Sequence, residues 1–389
     1  MVSKRLQEIP ASGTIAISNL VSQMKAEGVD IVSFSMGEPD FTTPENIIDA
    51  CCDALHSGFT HYTPSMGIPE LREAVADMES RVDGVPCRAS NVLITPTKQA
   101  IFMIALAYIN PGDEVILPDP SWVSYEACVR LAGGVPVYIP TKFEDEFVVD
   151  PALIEAAITP RTRMIILNTP SNPTGTVIPR EVLRQIADIA IANDLLVLSD
   201  EIYESIIYEG KHTSIASFPE MFDRTLLVSG LSKTYAMTGW RLGWMVVPEY
   251  ALEAMDDLAT NFFLCAHTPT QHAALACFTP ETLAVCEERR QELLERRRIV
   301  VDGLAEIGLP LEVEPNGAFY AYFNISGTGL DAWTFCERAL KEAHVALTPG
   351  RDFGNATADT HVRLSYAASR EALREGLKRL GDFVARLRG

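Results

Sequence analysis

Residues 163–200 read RMIILNTPSNPTGTVIPREVLRQIADIAIANDLLVLSD, and this stretch decides the fold class. Arg163–Leu167 and Leu195–Leu198 are aliphatic runs of strand length. Between them, Arg180–Asn193 carries Val182, Ile186, Ile189 and Ala190 at helical spacing. The connection after the first run is rich in Asn, Pro, Ser and Gly, the residues of turns. The same texture extends outward. Asn91–Thr95, Glu114–Leu117, Val135–Ile139 and Thr225–Val228 read as further strands, and Lys98–Ile109 and Tyr125–Leu131 as further helices. Strands alternating with helices predict an α/β fold, with a mostly parallel sheet flanked by helices on both faces. Such sheets hold their ligands at strand ends, although Gly, Ser, Asn and Asp there are also ordinary loop chemistry.

After about residue 280 the pattern changes. Residues 281–307 form a long, highly charged helix, read as a solvated connector. A strand at 318–324, a helix at 332–343, a strand at 361–367 and a C-terminal helix follow, which together describe a smaller α+β domain. No internal repeat or flexible linker separates the parts.

Composition narrows the function. The 389 residues are 47% hydrophobic and 22% charged, which excludes a disordered or collagen-like chain. Acidic residues number 52 against 32 basic ones, a formal net charge of −20. That surface repels phosphate backbones and anionic membranes, so neither nucleic acid nor lipid is an expected partner. The eight cysteines are scattered without C-x-x-C spacing. Reduced thiols and no metal are therefore expected. The first residues lack the apolar core of a secretory signal, and no apolar run approaches the ~20 residues of a membrane span. A soluble cytoplasmic protein is expected.

The chemistry concentrates in Ser229-Gly-Leu-Ser-Lys-Thr-Tyr-Ala-Met-Thr-Gly-Trp-Arg-Leu-Gly243. Lysine is scarce, eight residues in the chain, and Lys233 follows an apolar strand within a Ser/Gly loop. A lysine placed where its pKa can fall suits Schiff-base chemistry, and Arg241 offers a fixed charge for a phosphate. In isolation, this would read as a surface lysine.

The wider context resembles the class I/II aminotransferases, pyridoxal-phosphate (PLP) enzymes of fold type I related to aspartate aminotransferase. The resemblance runs from Met36-Gly-Glu-Pro-Asp-Phe41 to Val362-Arg-Leu-Ser365, with landmarks in family order and spacing. It implies a large PLP-binding domain over 47–285, and a small domain made of 1–46, with an N-terminal arm, and 286–389. By the same resemblance, Lys233 carries PLP. Asp200, in Ser199-Asp-Glu-Ile-Tyr203, pairs with the pyridine nitrogen, which makes the ring an electron sink. Tyr203 and Asn172, the latter in the Asn-Pro-Thr-Gly turn, bond the cofactor's phenolic oxygen. Trp122 stacks on the ring. Thr97 and Lys98, at the start of a helix, match the phosphate cup, with Ser232 and Arg241 beside them. Tyr62 reaches the phosphate of a neighbouring subunit, which implies a homodimer with shared sites. Arg363 clamps the substrate carboxylate with its planar fork. Gly37 closes over the substrate, and Trp122 and Asn172 also border it.

Two positions depart from the family pattern. Pro96 replaces a small residue and cannot donate an N–H. Gly230 stands where some branches place a phosphate-binding serine, a role that Ser232 or Ser229 could take over. The resemblance implies transfer of an amino group from an L-amino acid, aspartate or glutamate first, to a 2-oxo acid. Aromatic or alanine specificity, and a PLP lyase or synthase of the same fold, are the alternatives. A transcription regulator with such a domain would need a DNA-binding region, for which residues 1–35 leave no room. The dicarboxylate-specific mammalian-type branch uses a second arginine, and none can be placed in Asn261–Thr270.

Overall fold

The computed structural model describes residues 4–7 and 13–388. Of the expected N-terminal arm, residues 1–3 and 8–12 lie outside the described residues. The centre is a seven-stranded sheet: β1 (Val92–Ile94), β2 (Glu114–Asp119), β3 (Val135–Pro140), β4 (Thr162–Asn168), β5 (Leu196–Asp200), β6 (Thr225–Gly230) and β7 (Gly243–Val246), in the order β1-β7-β6-β5-β4-β2-β3. Strands β2 to β6 run parallel, and β7 is antiparallel to both its neighbours. The α/β expectation holds, with β7 as the strand missed. Its four residues Gly-Trp-Met-Val sit directly against the lysine motif and are too short to show a period.

Alternation along the strands explains why the sheet is covered twice. Met164 and Ile166 of β4, with Val115 and Leu117 of β2, pack on one face against Ala100, Met103 and Ile104 of the helix Thr97–Tyr108. Ile165, Leu167 and Ile116 point the other way, onto Leu183, Ile186 and Ala190 of the helix Arg180–Ala192. Each buried Val, Leu, Ile or Met among them contributes about 1.5–3 kcal/mol relative to exposure. Neighbouring strands β4, β5 and β6 end at Asn168, Asp200 and Gly230, so their C-terminal ends form one edge.

A second, antiparallel sheet joins Tyr320–Asn324, His361–Ser365 and Thr348–Pro349, with His361–Ser365 in the middle. Arg363 is thus held on both sides, opposite Tyr322 and Thr348. A short parallel pair, Val32–Ser33 with Val345–Ala346, leads the chain toward Ser35–Gly37.

The helix Pro280–Glu306 departs from its reading as a solvated connector. Leu293, Arg296, Arg297, Val300 and Leu304 are buried in it. Its arginines enter because they are paired: Arg296 bonds Asp40 at 2.6 Å and Glu292 at 2.9 Å, and Arg297 bonds Glu314 at 2.8 Å. A count of charges along the helix cannot reveal partners on other segments. The helix also runs unbroken across residues 285–286.

Candidate active site

A cavity of about 770 Å³ opens at the strand-end edge. Lys233, in the loop between β6 and β7, lines it and donates from Nζ to the Gly37 carbonyl at 2.7 Å. Burial pulls the ammonium pKa down to about 8. Glu38 and Asp200 oppose the fall, while Arg363 and Arg241 add to it. A fraction of Lys233 is therefore a neutral amine near neutrality, as a nucleophile and proton carrier requires.

Asp200 closes β5 and is 3% exposed. Burial raises its carboxyl to about 6, and a 2.7 Å hydrogen bond from the Tyr125 hydroxyl holds it below where burial alone would put it. Asn168, one strand over, donates to the Asp200 carbonyl at 2.9 Å and accepts from the Asn172 amide at 2.9 Å. Asn172 in turn accepts from Arg363 Nη1 at 2.8 Å. The turn that reads weakly as a motif is therefore the link between the Asp200 strand and the arginine.

Arg363 is 4% exposed. Its Nη2 bonds the Ser35 carbonyl at 2.7 Å, and Nε has no hydrogen-bond partner among the described residues. The guanidinium lies 4.6 Å from the Tyr320 ring centre and 4.9 Å from that of Phe353. Tyr320 also meets Tyr203, hydroxyl to hydroxyl, at 2.7 Å. A side chain on Gly37 would come within 2.4 Å of the Tyr320 hydroxyl, so this position must be bare.

At the other end, Thr97 and Lys98 begin their helix, with Ser232 and Arg241 also lining the cavity. Pro96 occupies the N-cap, where its carbonyl accepts from Gln99 and Ala100. It removes no amide of the first turn, and the first-turn amides of a helix have no intrahelical partner. Thr97 donates to the Ser229 carbonyl at 2.9 Å. A Cβ at Gly230 would fall 2.7 Å from both Gly243 Cα and Thr97 Oγ1, so no serine fits there. Ser229 is turned away, its hydroxyl on Glu204 at 3.0 Å, and of the two serines that could replace one at position 230 only Ser232 lines the cavity. Lys98 Nζ stands 4.6 Å from the Trp122 ring centre.

Eleven of the residues singled out from sequence therefore converge: Gly37, Thr97, Lys98, Trp122, Asn172, Asp200, Tyr203, Ser232, Lys233, Arg241 and Arg363. Tyr62 does not line this cavity and is 82% exposed. Tyr125, Ser35, Tyr320 and Phe353 were missed. Tyr125 had a signal, three residues beyond Trp122 on the same helical start; the others come from distant segments.

The donor set fits PLP on its own chemistry. It provides an amine of lowered pKa for an aldehyde, a buried carboxylate for a pyridine nitrogen and an indole for a ring. A helix start with hydroxyls and cations suits a phosphate. The class I and II aminotransferase family matches residues 29–380, and the chain belongs to that family. It is accordingly a PLP-dependent transaminase. Over 388 residues it is 41% identical to an aspartate/prephenate aminotransferase of Thermus thermophilus, covering 99% of each. It is 44% identical over 360 residues to an aromatic-amino-acid aminotransferase of Thermococcus litoralis, covering 91% of this chain and 92% of that one. The solved structure of Thermus thermophilus aspartate aminotransferase with maleate superposes with a TM-score of 0.94 at 41% identity, covering 98% of this chain and 99% of that one.

Proposed function

We propose that the chain moves the amino group of aspartate, or of another dicarboxylic amino acid, to a 2-oxo acid, with Lys233 as its proton carrier. When bound, PLP supplies an electron sink that makes the substrate Cα–H acidic. The protein's part is positional. Asp200, which Tyr125 helps keep ionised, would hold the ring nitrogen. Tyr203 and Asn172 serve the phenolic oxygen, and Thr97, Ser232 and Arg241 serve the phosphate. Arg363 takes the substrate α-carboxylate, and Lys233 Nζ, neutral in part at neutral pH, takes the proton from Cα and would return it to the carbon on the far side of the amino nitrogen. The segment carrying Gly37 covers the site and limits water.

The observation that carries the donor choice is Lys98, which the resemblance puts in the phosphate cup but which turns its ammonium onto Trp122. Its ammonium stands beside Trp122 on the cavity wall, a second cation for a second carboxylate. Residues 261–270 contain no arginine for that task. An aromatic donor is the second reading, favoured by Tyr320, Phe353 and Trp122 around the same space. A panel of amino acids against 2-oxoglutarate and pyruvate tests both. Aspartate and glutamate should lead in kcat/KM, and Lys98→Met should reduce them selectively. A panel led by phenylalanine or tyrosine would overturn the dicarboxylate reading.

Exposed Tyr62, with Phe262 and Leu264 also exposed, supports a homodimer in which Tyr62 reaches the partner's phosphate site. The division at 46/47 and 285/286 supports closure of a small domain on the large one, because Arg363 and Lys233 lie on opposite sides of it. No helix among the described residues is long and apolar enough to cross a membrane. The eight cysteines are unpaired, which supports a cytoplasmic setting.

A further inference from the structure

A second cluster of ionisable groups lies outside the cavity. Glu79 comes from the helix Pro69–Val82, and Asp83 follows that helix. Glu201 and Glu204 follow β5, and His212 lies in the loop beyond. Glu79 and Glu201 are wholly buried, Asp83 is 9% exposed, and the His212 side chain is 5% exposed. Three of the four acids have hydrogen-bond partners. Trp244 Nε1 donates to Glu79 at 2.7 Å, and the Ser229 hydroxyl donates to Glu204 at 3.0 Å. Ser199, Ser214 and His212 reach Glu201 at 2.6, 2.9 and 2.5 Å. What remains is unusual: Glu79 Oε2, Asp83 Oδ2, Glu204 Oε2 and His212 Nδ1 are all buried and have no hydrogen-bond partner among the described residues.

Four carboxyl groups share this space with one imidazole, and no lysine or arginine among the described residues pairs with them. Orphaned buried oxygens cost about 1–3 kcal/mol each, more when charged, so so many in one place call for a missing partner. The ligand atoms form two triads that share Glu204: Glu201, Glu204 and His212, and Glu79, Asp83 and Glu204. Within each triad the atoms lie within 4.8 Å of one another. Atoms on opposite sides of a cation at about 2.0–2.4 Å are at most roughly 4.8 Å apart, so the spacing suits a coordination sphere. The triad of Glu79, Asp83 and Glu204 offers three carboxylate oxygens, the donor type that suits Mn²⁺, Mg²⁺ and Ca²⁺.

We infer that Glu79, Asp83 and Glu204 bind one divalent cation, with Glu201 and His212 beside it, a structural site separate from the catalytic cavity. Burial and neighbouring carboxylates raise the Glu79 and Glu204 pKa values well above the usual range, the electrostatic load that such a cation removes. The cation joins the helix Pro69–Val82 to the segment that follows Asp200. Through Ser229 it also braces the strand end that presents Lys233. Sequence spacing could not announce it, because the ligands come from residues 79–83 and 204.

The test uses the PLP-loaded enzyme. Metal content is measured by mass spectrometry as isolated and after EDTA, and Mn²⁺ is then titrated while its free electron-spin-resonance signal is followed. One Mn²⁺ per subunit should be taken up, and the unfolding midpoint should rise by a few degrees in excess MnCl₂. Glu204→Gln, which removes the ligand common to both triads, should abolish the uptake and the rise while the cofactor absorbance stays. If Glu204→Gln does not fold, Asp83→Asn at the edge of the cluster replaces it and should weaken uptake at least tenfold. A wild-type enzyme that holds no metal as isolated and takes up none of Mn²⁺, Mg²⁺ and Ca²⁺ would overturn the inference, leaving the cluster to share protons. Unchanged uptake in the variants would overturn it as well. Loss of PLP absorbance is a separate readout, so the two readings fail independently.

Discussion

Replacing Arg363 separates carboxylate recognition from every other feature of the site. The guanidinium is buried between Tyr320 and Phe353, and its orientation is set by the Asn172 side chain and the Ser35 carbonyl at 2.8 and 2.7 Å. Of the other basic side chains lining the cavity, Lys98 and Arg241 lie toward the helix start and Lys233 between. Lysine cannot reproduce a two-pronged contact with a carboxylate, and alanine removes the charge altogether. Truncating one partner of a buried, hydrogen-bonded charge pair costs about 2–5 kcal/mol, roughly 30- to several-thousand-fold in kcat/KM. Arg363→Ala also strands the Asn172 and Ser35 oxygens, so part of its loss would be structural, and Arg363→Lys is the cleaner variant. The assay compares an amino acid with its decarboxylated amine. The amino acid should lose most of its rate, the amine little, and PLP binding should survive. Equal losses on the two substrates would refute the clamp and make Arg363 a packing residue that ties the two sheets together.

Tyr125→Phe removes the hydroxyl that holds down the Asp200 pKa, so the carboxyl, already raised to about 6, should rise further. PLP affinity of the apoenzyme should weaken as pH falls through about 6, and in the variant the weakening should begin at higher pH; superimposable titrations would count against the pairing. Gly230→Ser should destabilise the protein and loosen PLP rather than add a phosphate contact, because its Cβ meets Gly243 Cα and Thr97 Oγ1 at 2.7 Å. Thermal unfolding and PLP titration check this, and a tighter holoenzyme would contradict it. Tyr62→Phe should weaken PLP binding about tenfold in a protein that light scattering finds dimeric; full activity in a monomer would remove the shared site.

The sequence by itself determined the elements and most of the chemistry. Aliphatic runs such as 163–167 can only be strands buried on two faces, and Lys233, Asp200 and Asn172 follow three of them. Strand ends alone are also ordinary loop chemistry, and it is the resemblance to the aminotransferases that marked which of their residues act; the structure supplied the strand order that brings them together. The tertiary structure decided which groups tune them. Tyr125 acts on Asp200 across 75 positions, Asn172 on Arg363 across 191, and Ser35 on Arg363 across 328. It also decided that the helix Pro280–Glu306 buries one stripe, arginines included, and that Ser229 serves Glu204 rather than the cavity. It brought Glu79 and Asp83 to Glu201, Glu204 and His212. Local periodicity reports what a residue's own element requires. Burial, orphaned oxygens and pKa depend on what the fold packs against that element.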